Sequence, residues 1–235
     1  MSKPRSAPPL VETAAVEKIY AAGSKVAALK GVDLVIERGE FTALAGPSGS
    51  GKSTLLNLIG TLDQPTKGTV SYEGRVVSGL DADALSDFRL RSLGFVFQSY
   101  NLIPVLTAAE NVEYPLVLQD AQPDERRKLA LEALRLVGLE HYAHRRPDLL
   151  SGGQQQRVAV ARAIVHRPSL VLADEPTANL DSKTGAQLLD LMEGLNGDHG
   201  ITFLFSSHDQ AVLERARRVV RLQDGELRAD EVRSR

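Results

Sequence analysis

The sequence predicts an α/β fold built on a mostly parallel sheet, with an antiparallel β portion at its N-terminal end and a helical insertion near the middle. Three observations predict it. Residues 41–45, 170–173 and 201–205 are nearly continuous apolar runs, the pattern of strands buried on both faces of a parallel sheet. From residue 10 to about residue 80, short β-prone runs are divided by turn residues, the pattern of half-exposed antiparallel strands. Between about Asn101 and Leu150 the strand signal fades and helical spacing replaces it.

Taken in order, residues 1–9 carry Pro4, Pro8 and Pro9 with Lys3 and Arg5, a composition that resists regular structure and reads as a flexible leader. Folding starts near Leu10, and residues 10–235 read as a single domain. Val32-Asp33-Leu34-Val35-Ile36 runs into Arg38-Gly39-Glu40, and Thr69-Val70-Ser71-Tyr72 into Glu73-Gly74, each a strand closed by turn chemistry. A helical run covers residues 55–59. In the insertion, about residues 98–154, a helix is predicted over 123–137 with apolar Leu129, Ala133, Leu136 and Val137 and a stop at Gly138. Residues 10–97 and 155–235 then form the core with its antiparallel portion. A further helix over 155–165 is opened by Ser151 and Gln154, spaced as a capping box, with His166 and Arg167 in its last turn and Pro168 as its stop.

Charge and composition narrow the function classes. Lys and Arg number 28 against 30 Asp and Glu, a net charge of -2, so no surplus of cations exists to neutralise a nucleic-acid backbone. There is no cysteine, hence no disulfide framework and no thiolate metal site, and a reducing cytoplasm fits best. The longest uncharged stretch, residues 92–109, is interrupted by Gln98, Asn101 and Pro104, so it is a poor membrane span, and any membrane role comes through a partner.

Two motifs carry chemistry by themselves. Gly46-Pro47-Ser48-Gly49-Ser50-Gly51-Lys52-Ser53-Thr54 follows an apolar strand and precedes a helical run, the context that a phosphate-binding loop requires. Glycines let the backbone turn its N–H groups inward, the helix start adds a positive dipole end, Lys52 reaches the outer phosphates and the Ser53 hydroxyl suits magnesium. Farther on, Asp174 and Glu175 end the apolar run 170–173, at the edge where ligands of open α/β sheets bind. Asp174 there joins the magnesium shell, and Glu175 orients and deprotonates an attacking water. At the third place, Gly152 and Gly153 lower helix stability yet expose N–H groups suited to an anion; a well-capped helix is the alternative reading.

With these motifs in order, Leu150-Ser151-Gly152-Gly153-Gln154, whose Ser151 lies 23 residues before Asp174, resembles the signature of ATP-binding cassette ATPases, and the resemblance covers residues from about 10 to about 227. It implies that family's P-loop ATPase fold, ATP as substrate and magnesium as cofactor. Gln98 is similar to the Q-loop glutamine that contacts magnesium and water, Asp181 in Asn179-Leu180-Asp181 to the D-loop, and His208 to the switch histidine at the terminal phosphate. Tyr20 is similar to the aromatic residue that stacks on adenine, core packing or a partly exposed strand position being its alternative. The resemblance further implies a homodimer on ATP binding, each nucleotide held by the Lys52 loop of one copy and by Ser151, Gly152, Gly153 and Gln154 of the other. It implies integral-membrane permease subunits as partners and a place on the inner face of the membrane through them. Leu102, Ile103, Pro104 and Val105 belong either to the permease-docking groove or to packing beneath the insertion. The stretch around Gln98, with Glu110-Asn111-Val112 and the run from Gly152 to Arg157, looks most like the lipoprotein-releasing and macrolide-export branch. A regulatory cassette of cell-division type, which signals without transport, is the alternative.

Overall fold

The computed structural model describes residues 7–22 and 24–233; most of the leader, residues 1–6, lies outside them. Strands β1 (Val11–Ala22) and β2 (Ser24–Ile36) form a long antiparallel pair, joined by β4 (Lys67–Tyr72) and β5 (Arg75–Val76) in the order β2-β1-β4-β5. The pair is longer than the short runs the sequence suggests because bulges interrupt the alternation: Ala15 takes a left-handed φ of 48°, and its N–H is secured by the Asp33 carboxylate at 2.6 Å. A second sheet has the order β10-β9-β3-β8-β7-β6 among the described residues. Its central strands β3 (Phe41–Ala45), β8 (Thr202–Ser206) and β7 (Leu170–Asp174) are parallel and almost wholly buried, as their apolar runs require.

Alternation along these strands divides the interior in two. Phe41, Ala43, Val171, Phe203 and Phe205 face a core shared with helices α3 (Ala108–Leu118), α4 (Pro123–Leu136), α5 (Gly152–Ile164), α6 (Ser182–His199) and α7 (Gln210–Arg215). Leu44, Leu170, Leu172 and Leu204 face the other, shared with α1 (Lys52–Ile59) and the antiparallel sheet. The segment 98–154 carries α3, α4 and two 3-10 turns, and α3 packs on both α4 and α5. Five features are absent from the sequence reading. They are β6 (Leu93–Val96), α2 (Ala82–Ser92), α6, α7, and the terminal pair β9 (Arg218–Gln223) and β10 (Glu226–Val232).

One local expectation is corrected. Helix α5 ends at Ile164, so His166 and Arg167 lie past its last turn. The His166 ring is in contact with the Leu93 carbonyl, and burial lowers its pKa, which favours the neutral imidazole. It therefore fastens β6 to α5 and supplies no positive charge to the helix end.

Arg218 is the main polar clamp at the sheet edge. Its guanidinium donates to both Asp230 oxygens, to Glu40 and to the Val35 carbonyl, joining β9 and β10 to β2 and to the turn that leads into β3. The bond from Arg218 holds the Asp230 carboxyl below its ordinary range. Arg218→Met is expected to lower stability by about 2 kcal/mol, since it leaves half-buried Glu40 without its cation, measured by urea unfolding at neutral pH. Because the folded pKa of Asp230 is depressed, its contribution is present above the unfolded carboxylate value of about 4 and is lost as pH falls through the folded value. The stability difference between wild type and Arg218→Met thus narrows in acid; an unchanged gap would refute the assignment.

Candidate active site

The phosphate-binding loop joins β3 to α1. Gly51 takes φ 104°, and a Cβ there would lie 2.7 Å from the Ala28 carbonyl of β2, so only glycine lets the loop press against the antiparallel sheet. Lys52 is 8% exposed, with Nζ donating to the carbonyls of Gly46 at 2.8 Å and Pro47 at 3.0 Å. One of its three donors is thereby left for a ligand.

A cavity of about 660 Å³ opens on this loop, within the roughly 300–1,000 Å³ usual for small-molecule sites. Pro47 through Thr54 line it with Ala28, Gln98, Glu175 and His208. The sheet order explains the gathering, because Asp174 at the end of β7 pairs with Ser206 at the end of β8, which brings Glu175 beside the loop after β8. His208 Nδ1–H donates to Glu175 Oε1 at 2.6 Å and Ser207 Oγ–H to Oε2 at 2.9 Å. Glu175 itself holds a left-handed φ of 46°, strain of the kind found where surroundings impose a functional geometry. Ser53 Oγ–H donates to Asp174 Oδ1 at 3.3 Å across the loop. Gln98 is tied to Asn179: Asn179 Nδ2 donates to the Gln98 carbonyl at 3.0 Å, and Gln98 Nε2 to Asn179 Oδ1 at 3.5 Å.

Other predicted residues stand apart from the cavity lining. Tyr20 is 39% exposed; its hydroxyl donates to Asp63 Oδ2 at 2.9 Å and the Lys18 ammonium lies 4.9 Å from its ring centre. Burial and then the Asp63 carboxylate raise its pKa, so the phenol stays protonated. Ser151 caps α5 in a full capping box with Gln154. Its glycines have a cause the sequence reading lacked: a Cβ on Gly152 would lie 2.9 Å from the Tyr100 hydroxyl, and one on Gly153 would meet the Thr184 methyl. Asp181 caps α6, and its bonds from the Thr184 hydroxyl and N–H lower its pKa. Leu102 packs on the core, whereas Val105 is 71% exposed, so packing beneath the insertion accounts for Leu102 and not for Val105.

Sequence reasoning missed Ala28, Ser207 as a donor to Glu175, and Asn179 as the partner of Gln98. Ser207 and Asn179 lie in the stretches around His208 and Asp181, which gave a signal; Ala28 lies in no motif. Their partners are fixed by strand pairing.

A model of the family described as ABC transporter matches residues 29–178, well over half of the chain. The chain belongs to the ABC transporter family. This cassette is similar to the lipoprotein-releasing system ATP-binding protein LolD of Anaeromyxobacter dehalogenans, 51% identical over 227 residues and covering 95% of each chain. It is 48% identical over 221 residues to the ABC transporter ATP-binding protein MJ0796 of Methanocaldococcus jannaschii, covering 92% of this chain and 94% of that one. It is 49% identical over 224 residues to the macrolide export ATP-binding/permease protein MacB of Hyphomonas neptunium, spanning 35% of that longer protein. A solved dimeric structure of MJ0796 in a post-hydrolysis state, bound to ADP and Pi, resembles the cassette with a TM-score of 0.87 at 46% identity, covering 96% of this chain and 99% of that one. The cassette is an ATP-binding, ATP-hydrolysing protein of an ABC transporter. Among its described residues no helix is long and apolar enough to cross a membrane.

Proposed function

We propose that two copies of this cassette close head to tail on two ATP molecules and thereby drive a separate membrane permease, in a system of the lipoprotein-releasing or macrolide-export kind, from the cytoplasmic face. One observation carries the reading. The cavity brings together the Lys52 loop, Gln98, Glu175 and His208, while the capped helix start at Ser151 is absent from its lining and has an exposed N-cap, so each chain holds half of a phosphate clamp. Similarity to the dimeric MJ0796 structure supports the same arrangement.

In this reading the amides of residues 46–54 and the Lys52 ammonium hold the β- and γ-phosphates, and Tyr20 offers its ring to adenine. The Ser53 hydroxyl, the Asp174 carboxylate and the Gln98 amide oxygen are hard oxygen donors of the kind magnesium prefers, and Ser53 and Asp174 already meet at 3.3 Å. Bound there, the ion neutralises charge on the phosphate oxygens. Glu175 accepts a proton from water as the water oxygen bonds to the γ-phosphorus and the bond to the β,γ-bridging oxygen breaks, giving ADP and phosphate. His208 is oriented by Nδ1–H on Glu175, and with the ring doubly protonated Nε2–H is the second donor, aimed at the terminal phosphate. Ser151 and the N–H groups of Gly152 and Gly153 clamp the same phosphate on the partner copy, with Gln154 holding the cap and Asp181 beside the junction. Loss of the phosphate removes what both copies grip, and the pair reopens.

The test is oligomeric state. Glu175→Gln with ATP and magnesium is expected to scatter light as a dimer and with ADP as a monomer, and adding Ser151→Arg is expected to abolish the dimer. A chain that stays monomeric with ATP, or a dimer indifferent to Ser151→Arg, would overturn the shared-site reading.

A further inference from the structure

Gln156 lies on α5, five residues beyond Ser151, and is fully buried. Its Nε2 donates to the Phe97 carbonyl at 3.2 Å and to the Pro176 carbonyl at 2.8 Å. Two acceptors face this end of the amide, so it must be the NH2 end, and both of its hydrogens are used. Phe97 immediately precedes Gln98, and Pro176 immediately follows Glu175. The other end, Oε1, is buried without a partner. An apolar side chain of equal length would fill the position and remove the orphaned Oε1, but it would take the donor away from the Pro176 carbonyl, so what the amide adds over packing is its hold on the two carbonyls.

The backbone held by Gln156 does not hold itself. Glu175 has φ 46°, and Tyr100 and Asn101, just past Gln98, have φ 56° and 50°. Such conformations persist only where neighbours over-determine them. Farther along the same helix, Arg162 donates to the carbonyls of Tyr100 at 2.8 Å and Asn101 at 2.5 Å. Helix α5 therefore holds the loop that follows β6 at Phe97, Tyr100 and Asn101.

We propose that Gln156 is a positioning residue for hydrolysis: it fixes Gln98 and Glu175 relative to each other and ties both to the helix that begins at Ser151. The proposal rests on the reading of Glu175 as the base. It gives the phosphate clamp of one nucleotide a direct mechanical link to the base that activates water at the other.

The experiment is a double-mutant cycle on the full chain, with kcat, KM for ATP, nucleotide affinity and thermal midpoint measured for each member. Gln156→Met, which keeps length and packing but deletes both donors, is expected to lower kcat by about tenfold to a hundredfold, with KM and nucleotide affinity changed by less than about twofold. Gln156→Asn keeps the amide but is one methylene short of the two carbonyls. It is expected to show the same kcat loss, and it decides the matter if the methionine variant does not fold. In the Glu175→Gln background either substitution is expected to change turnover by less than about twofold, because Gln156 acts through Glu175. A merely structural role would lower the thermal midpoint and nucleotide affinity and add its loss to that of Glu175→Gln; that result, or a kcat near wild type, would overturn the proposal. Near-normal turnover in Glu175→Gln alone, read in its own arm, would remove the base assignment and the proposal with it.

Discussion

Glu175→Gln is expected to slow ATP turnover by about a hundredfold or more while nucleotide affinity stays within about twofold of wild type. The carboxylate is placed for one task. It stands at the end of β7 on a left-handed residue, within the cavity, with one oxygen capped by Ser207 and the other by His208. An amide of the same shape keeps the packing, and its oxygen can still accept one of those bonds, but it cannot take a proton from water. Binding depends on the loop around Lys52, which the substitution does not touch. Steady-state phosphate release and a nucleotide-binding titration measure the two effects separately. Turnover near wild type would show that another group accepts the proton, and a parallel fall in affinity would show that Glu175 acts in binding.

Lys52→Met is expected to reduce turnover by about a hundredfold to a thousandfold, the loss typical of deleting one donor aimed at developing charge, and to weaken ATP binding with it. Methionine retains an unbranched buried stem and deletes only the ammonium. That ammonium closes the loop on itself through the carbonyls of Gly46 and Pro47, so its removal loosens the amide cradle and withdraws a positive charge from the phosphates together. Arginine is not expected to restore function, since a planar fork does not fit a pocket built around a point donor. Titration with a fluorescent ATP analogue and phosphate release check both halves of the expectation. Unchanged affinity and turnover in a folded Lys52→Met variant would exclude the lysine from the site.

The two expectations differ in how their residues are found. Lys52 belongs to a loop whose whole chemistry is contiguous: strand, glycine turn and helix start follow one another in the chain, and the backbone freedom they need is encoded residue by residue. The buried strands 41–45, 170–174 and 202–206 were legible for a similar reason, since a run apolar on both faces has only one environment that suits it. The helix opened by Ser151 and Gln154 was legible from its cap, but its last turn was not, because His166 follows the carbonyl of Leu93 on a strand 73 residues away. Helix α6 has no counterpart in the sequence reading, although Asp181 caps its start and left-handed Gly200 its end. Strand β6 is four residues long and is distinguishable from a buried loop only through its pairing with β7.

By itself the sequence determined which chemical groups are present and which segments are suited to hold phosphate, because a phosphate loop, a capped helix start and an apolar strand are each specified by neighbours in the chain. Tertiary structure alone decided which groups meet. Ser53 reaches Asp174, Glu175 reaches His208 and Gln156 spans Phe97 and Pro176 only because β3, β8, β7 and β6 lie side by side in an order that the chain does not follow. Hydrogen bonds between residues 20 to 121 positions apart depend on strand pairing and on burial, and these are properties of the assembled sheet.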